Sequence, residues 1–213
     1  MSTRLCVLAI TLVILGLLTV GPGIASAQDV FKINYFANAN VSGAPDATVR
    51  IDNPGVTYGN LCAMIYVFDN DQQLTECCGC LDSHNGLRTL SVNKDLTSNP
   101  LTGVKSNNGV IKVVSALVND SWCDPTSNVT PTPNLRVWTT HIQNKVGSAF
   151  PITETESSDS PLISEVPGAA APLITSSAEL IALQAQCYFL NILGSGHGIC
   201  TCGTGDSNPP PCF

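Results

Sequence analysis

Nine cysteines between residues 62 and 212 constrain this chain more than any other feature of its sequence. They are Cys62, Cys77, Cys78, Cys80, Cys123, Cys187, Cys200, Cys202 and Cys212. The chain has a tenth, Cys6, which the signal peptide predicted below would remove, and because the remaining nine is odd, one sulfur must stay a free thiol, pair with another chain or carry an adduct. Five precede residue 130 and four follow residue 186. The simplest scheme makes two bridges within each group and leaves the spare cysteine in the first, although spacing alone does not fix the pairing.

The densest cysteine group is Cys77-Cys78-Gly79-Cys80. Neighbouring residues of a strand point to opposite faces, so we expect Cys77 and Cys78 to take different partners. Cys62 or Cys123 is then within reach of one of them. Cys78 and Cys80 point the same way, so both can serve one site.

Metal binding is the alternative use of these sulfurs. Two sets contain the ligand atoms that zinc takes: Cys77, Cys78, Cys80 and His84 in one, and His197, Cys200 and Cys202 in the other. Their spacings differ from the two intervening residues of the common zinc knuckle. Disulfides also compete for the same sulfurs in an oxidising compartment. We therefore expect cross-links, with no bound metal and no cofactor.

The N-terminus has the pattern of a cleavable signal peptide. Arg4 precedes an apolar run from Leu5 to Val20, and Ala25-Ser26-Ala27 supplies the small residues of a cleavage site. The run of about 16 residues is shorter than the roughly 20 needed to span a bilayer. Cleavage after Ala27 leaves 186 residues. We expect a secreted or cell-surface protein with no membrane attachment after cleavage, and the periplasm is an alternative location.

The charge distribution argues against two classes of partner. Six acidic residues and no Lys or Arg follow residue 145. Nucleic-acid binding needs clustered Lys and Arg, and anionic membranes repel an acidic surface. We therefore expect neither partner. A spare thiol permits self-association as a disulfide-linked dimer, and the sequence identifies no ligand.

Residues 28–146 have the pattern of a β-sandwich domain. Apolar and polar residues alternate in 31–35 and 47–51, which is typical of half-buried strands, whereas 61–68 is apolar throughout and predicts a central strand covered on both faces. The further strand candidates are 74–80, 87–92, 110–118 and 135–142. Short connections without helices favour antiparallel pairing. About seven such strands predict an immunoglobulin-like sandwich, with Trp122 and Trp138 in or beside its core.

The C-terminal part predicts a linker and one docked helix. Residues 147–175 are acidic and rich in proline, which is typical of a linker. Residues 176–193 predict a helix, because Ser176 and Glu179 form a capping box. Its apolar stripe contains Leu180, Leu183, Cys187 and Leu190, widened by Ile181, Tyr188 and Ile192. Glycines at 194–198 let the tail of 176–213 reverse, so that Cys200 or Cys202 bridges back to Cys187.

Two motifs of the chain resemble those of a group of exported bacterial cysteine-rich β proteins. They are the Cys-Cys-Gly-Cys group at 77–80 and the C-terminal Gly-Ser-Gly at 194–196 followed by Cys200-x-Cys202. The resemblance extends over most of the chain after residue 27. It implies no particular activity.

The polar residues do not form a recognisable catalytic set. Asp82, Ser83 and His84 are consecutive, whereas the members of a hydrolase triad come from separate elements. We expect no enzyme and no catalytic residue. Asn40, Asn119 and Asn128 have the form of glycosylation acceptors.

These observations predict an exported, disulfide-stabilised structural or adhesive surface module that is not an enzyme. The first alternative is an extracellular metal-binding or redox protein that uses the Cys77, Cys78 and Cys80 cluster. The second is a hydrolase whose cleft the sequence does not show.

Overall fold

A computed structural model describes residues 30–57, 59–97, 105–118, 123–127, 129–160, 162, 178–192, 200 and 202. Within these ranges the chain forms nine strands and one α-helix. The strands are β1 Phe31–Phe36, β2 Thr48–Asp52, β3 Leu61–Asp69, β4 Leu74–Asp82, β5 Leu87–Ser91, β6 Gly109–Leu117, β7 Arg136–Ile142, β8 Ile152–Glu156 and β9 Ser158–Ser160. One turn of π-helix, Val92–Leu96, follows β5, and helix α1 is Ala178–Ile192. The predicted signal peptide, Cys6, Trp122, His197 and Cys212 lie outside the described residues.

The strands form two antiparallel sheets. The first sheet has the order β4-β3-β6-β1-β9, and the second has the order β5-β2-β7-β8. The pairs β1·β6, β2·β5 and β3·β4 are nested in the chain and fall alternately in the two sheets. This nesting is the winding of a jelly roll, with β7, β8 and β9 added at its sides. The mainly β antiparallel fold is confirmed, while the strand order does not confirm an immunoglobulin-like topology.

The structure contains all seven predicted strands and two more, β8 and β9. Both of these lie within the 147–175 segment, where composition indicates a linker. All five residues of β8 are exposed, and its sequence, Ile-Thr-Glu-Thr-Glu, has no buried apolar position. An edge strand of this kind carries no hydrophobic alternation, so the pattern that reveals the other strands is missing here.

The first sheet is covered on both faces. Odd-numbered residues of β3, such as Ile65, are buried between the two sheets, whereas even-numbered residues, such as Met64 and Tyr66, pack towards α1. The prediction of a central strand at 61–68 is therefore confirmed. Full burial of each such apolar side chain contributes about 1.5–3 kcal/mol, so these two cores dominate the stability of the fold.

The alternation predicted for β1 is only partly correct. Phe31 is buried, but Tyr35 is 48% exposed and Lys32 is buried. Lys32 is accommodated because its ammonium group pairs with the carboxylate of Asp159 on the neighbouring strand β9. Neither β9 nor Asp159, the partner that makes a buried lysine possible at this position, is predicted from the sequence pattern.

Helix α1 packs on the first sheet along a narrow stripe. Leu180, Leu183 and Cys187 are buried, but Ile181 and Tyr188 are exposed, so the predicted widening of the stripe at these two positions is wrong. A helix on a flat sheet buries only the side that faces it. No helix of the described residues is long and apolar enough to cross a bilayer. Ser176 of the predicted capping box lies outside the described residues.

Candidate functional site

The structure pairs eight cysteines of the described residues in four disulfides. They are Cys62–Cys123, Cys77–Cys187, Cys78–Cys200 and Cys80–Cys202. The prediction that Cys77 and Cys78 take different partners is confirmed. The scheme of two bridges within each sequence group is wrong, because three of these bridges join the two groups. The predicted bond of Cys187 to Cys200 or Cys202 is also wrong, as is a bond from Cys77 or Cys78 to Cys62 or Cys123.

Strand β4 explains the observed pairing. It is one of the two edge strands of the first sheet, and its successive side chains point to opposite faces. Cys77 faces α1 and bonds to Cys187 on the buried side of that helix. Cys78 and Cys80 face the space between the sheets, where they bond to the C-terminal segment. One strand is thus cross-linked on both of its faces.

The bridges to Cys200 and Cys202 lie side by side. The sulfurs of Cys78 and Cys80 are 3.9 Å apart, and all four cysteines are buried. Because Cys78 bonds to Cys200 and Cys80 to Cys202, these two C-terminal cysteines follow one another in the same direction as β4. The amide of Cys200 donates a hydrogen bond to the carbonyl oxygen of Cys77 at 3.2 Å. Cys78 and Cys80 point the same way, as predicted, and we call Cys78, Cys80, Cys200 and Cys202 the sulfur cluster.

Gly79 has a spatial role within the Cys-Cys-Gly-Cys motif. A Cβ atom at this position would lie 1.8 Å from the carbonyl oxygen and 2.9 Å from the sulfur of Cys123. Only the absence of a side chain lets the backbone at Cys123 cross over β4 and bond to Cys62. The glycine thus permits the Cys62–Cys123 bridge, a role that is not evident from the sequence.

Arg88 is a buried residue that the sequence analysis missed. Its side chain is 1% exposed, and its Nη1 donates to the carbonyl oxygen of Cys202 at 2.6 Å. Nη2 donates to the carbonyl oxygen of Leu81, and Nε lies 3.6 Å from Oδ1 of the equally buried Asp82. The sequence pattern that could have revealed its burial is the period of two along a strand, because Arg88 points to the same face of β5 as the buried Leu90.

The structure separates the residues of the other predicted sites. His84 is exposed on a turn beside Asn85, whereas Asp82 points inward to Arg88, so consecutive Asp82, Ser83 and His84 do not converge. Cys77 lies on the opposite face of β4 from Cys78 and Cys80. The predicted zinc set of Cys77, Cys78, Cys80 and His84 is therefore not assembled in this arrangement, and the other predicted set includes His197, which lies outside the described residues.

His141 is the buried histidine of the described residues. Its ring stacks on Tyr35 with centroids 4.1 Å apart, and its Nε2 lies 2.6 Å from Oγ1 of Thr155 on β8. Burial lowers the pKa of His141 below its ordinary value, although a backbone hydrogen bond involving Tyr35 opposes this shift. His141 therefore joins β1, β7 and β8 through its neutral form.

Two further polar residues hold loops to the sandwich. The buried hydroxyl of Tyr66 donates to the carbonyl oxygen of Pro125 at 2.7 Å, and burial, with a smaller contribution from Asp124, raises its pKa. The side-chain amide of Asn40 donates to Oγ1 of Thr97 and to the carbonyl oxygen of Ser106. This amide is thus engaged within the fold, which argues against its use as a glycosylation acceptor. Asn119 and Asn128 lie outside the described residues.

Trp138 occupies the outer face of the second sheet. It is half-buried, but it faces away from the core beside which it was predicted, and it lies in register with Arg50 on one side and Glu156 on the other. Two exposed ion pairs, Arg50–Glu154 and Arg136–Glu156, flank it on the same face. This face carries positive and negative side chains as well as an aromatic ring, whereas the outer face of the first sheet is covered by the helix.

The geometry described above is the basis for a functional interpretation, because comparison with known proteins adds no relative. Family models, curated proteins and solved structures give no significant match to this chain.

Proposed function

We propose that this chain is an exported structural or adhesive surface module that does not act as an enzyme. The observation that carries the proposal is the cross-linking of β4 on both faces to the C-terminal region. Disulfides of this kind persist in oxidising, extracellular environments. They make a sheet-rich body resistant to unfolding, which is what a protein exposed outside the cell requires.

The bonded sulfurs support a structural role over a chemical one. A cysteine acts as a nucleophile only as a thiolate, and a disulfide sulfur is not one. The bridges also anchor to rigid elements, since the cysteines of β4 and Cys187 of α1 are buried. In this form the cysteines connect parts of the fold rather than present reactive groups.

The outer face of the second sheet is the contact surface that we propose for adhesion. It presents Trp138 between two exposed ion pairs, and Trp is among the residues enriched in the centre of protein interfaces. The equivalent face of the first sheet packs against α1 and is not available. If the module is adhesive, we therefore propose that its partner binds the face that carries Trp138.

Mass spectrometry and thiol counting test export and cross-linking together. We expect protein recovered from the medium or cell surface to begin at Gln28 and to show at most one free thiol after denaturation without reductant. Full reduction should then expose nine thiols. Recovery only from the cytoplasm, or four or more free thiols in the exported protein, would contradict the proposal.

Substitution on the proposed contact surface tests adhesion. Trp138→Ala should reduce the fraction of protein that stays on washed producing cells. Tyr188→Ala is a matched control, since Tyr188 is 56% exposed on the helix, on the other sheet. If both variants and the unmodified protein are retained equally, the Trp138 face is not the adhesive surface. Thiol counting still tests the structural role separately.

A further inference from the structure

The sulfur cluster has the composition of a closed thiolate metal site. It brings four cysteine sulfurs together from two Cys-x-Cys segments, 78–80 and 200–202. The sulfurs of Cys78, Cys80 and Cys202 all lie within 4.8 Å of one another. This set differs from the one that spacing suggests, because it excludes Cys77 and His84 and includes the two C-terminal cysteines.

The distance between the two bridges matches the geometry of zinc. A tetrahedral ion with Zn–S bonds of about 2.3 Å holds its sulfurs about 3.8 Å apart. The sulfurs of Cys78 and Cys80 are 3.9 Å apart while each is still bonded to its partner. One edge of the tetrahedron is therefore already formed by β4, with Gly79 as the single intervening residue.

Contacts that do not involve sulfur hold the other two cysteines in place. The amide of Cys200 donates to the carbonyl oxygen of Cys77, and the carbonyl oxygen of Cys202 accepts from Arg88. Neither contact depends on an S–S bond. We expect these contacts to keep the C-terminal pair opposite Cys78 and Cys80 when the bridges are open, which reduces the entropy lost on metal binding.

We propose that the reduced chain binds one Zn²⁺ ion through the thiolates of Cys78, Cys80, Cys200 and Cys202. A dithiol reductant opens each bridge by supplying two electrons and two protons, and it becomes a disulfide itself. The four thiols lose four protons as the ion binds, so the site carries a formal charge of −2. A small-molecule disulfide takes up two electrons per bridge as it is cleaved to two thiolates, so that both protein bridges re-form and the ion is released. The same four sulfurs thus cross-link the oxidised chain and bind metal in the reduced one.

A cobalt titration of the exported protein tests this site. The protein is reduced with a phosphine, which supplies the same two electrons per bridge without adding thiolate ligands, and Co²⁺ is added without oxygen. We expect thiolate-to-cobalt absorption that saturates at one equivalent and disappears when Zn²⁺ displaces the Co²⁺. Untreated, oxidised protein should show no such absorption.

Two double variants separate the sulfur cluster from the other cysteines. Cys78→Ser with Cys80→Ser should lose the stoichiometric binding, whereas Cys62→Ser with Cys123→Ser should retain it. Reduction alone could unfold the chain, so circular dichroism is recorded in the same titration to follow its secondary structure. Structure should then return with Co²⁺ in the unmodified protein and in the second variant only. Binding that survives in the first variant, is lost in the second, or is missing from the unmodified protein overturns the proposal.

Discussion

Nη1 of Arg88 lies 2.6 Å from the carbonyl oxygen of Cys202, 114 residues further along the chain. Both residues are buried. The guanidinium also meets Asp82 and the carbonyl oxygen of Leu81, so one side chain joins β4, β5 and the C-terminal segment. A charged group can occupy this interior because its donors are directed at a carboxylate and two carbonyl oxygens.

Replacement of Arg88 should strongly destabilise the fold. Arg88→Met leaves the carboxylate of Asp82 buried without its cation, and breaking a buried pair in this way costs about 3–5 kcal/mol. Urea unfolding measures the change in free energy. Arg50→Met removes an exposed ion pair instead, and it should cost no more than about 1 kcal/mol. Similar losses for the two variants would show that burial of Arg88 does not determine its contribution.

Removal of the bridge from β4 to the helix should release α1 selectively. The double variant Cys77→Ala with Cys187→Ala lacks this bridge. While Cys78–Cys200 stays intact, the missing bridge would close a loop of only roughly 15 residues, so its loss should lower the free energy of unfolding by about 3 kcal/mol. The full separation of 110 residues would predict a larger loss, close to 5 kcal/mol.

Hydrogen exchange and unfolding experiments measure both aspects of this change. Amide protection should fall in α1 and persist in β3, a central strand of the first sheet. Equal loss of protection in helix and sheet would contradict selective release of α1. The same experiment on Cys62→Ala with Cys123→Ala provides the comparison, because that bridge does not reach the helix.

A methyl group at Gly79 should interfere with the backbone of Cys123. Gly79→Ala places a Cβ 1.8 Å from a carbonyl oxygen, so the two segments must separate, and overpacking of this kind typically costs about 1–3 kcal/mol. Gly59→Ala is the matched control, since a Cβ at Gly59 has nothing within 4 Å. Thermal unfolding compares the two variants. Equal melting temperatures would exclude the close approach at Gly79.

The stability of the fold should decrease as the pH falls below about 6.5, in part through His141. Its pKa is lower in the folded chain than in the unfolded one, so the unfolded state binds the proton more readily. The stabilisation is complete above the unfolded pKa and is lost towards the folded pKa, with a slope of at most about 1.4 kcal/mol per pH unit.

Urea unfolding between pH 7.5 and pH 5 isolates the contribution of His141. His141→Gln should flatten the decrease relative to the unmodified protein. His84→Gln changes a histidine on an exposed turn and controls for the substitution itself. An identical pH dependence with and without His141 would assign the decrease to other groups.

The sequence predicts those strands whose residues alternate or are apolar throughout. Leu61–Asp69 is recognisable because both of its faces are buried, and burial requires apolar side chains. Ile152–Glu156 is not recognisable, since its place is fixed by pairing with β7 and by the Arg50–Glu154 ion pair. Such long-range partners leave no periodic pattern in the strand itself.

The disulfide partners were only partly predictable, for a related reason. Strand geometry separates Cys77 from Cys78 and groups Cys78 with Cys80, because side-chain direction is local. The identity of the partners depends on where the C-terminal segment runs, and that path is fixed by contacts such as Arg88 with Cys202. Proximity in sequence therefore suggested bridges within each group, whereas proximity in space joins the groups.

Cys200 and Cys202 bond to β4, an edge strand of the first sheet, each across 122 residues of chain, and the amide of Cys200 also donates a hydrogen bond to that strand. During synthesis from the N-terminus, β4 leaves the ribosome long before Cys200 and Cys202 do. An unpaired strand edge invites pairing with other chains. Newly synthesised molecules are therefore vulnerable to aggregation until Cys200 and Cys202 arrive. A chain interrupted before Cys200 keeps that vulnerability permanently.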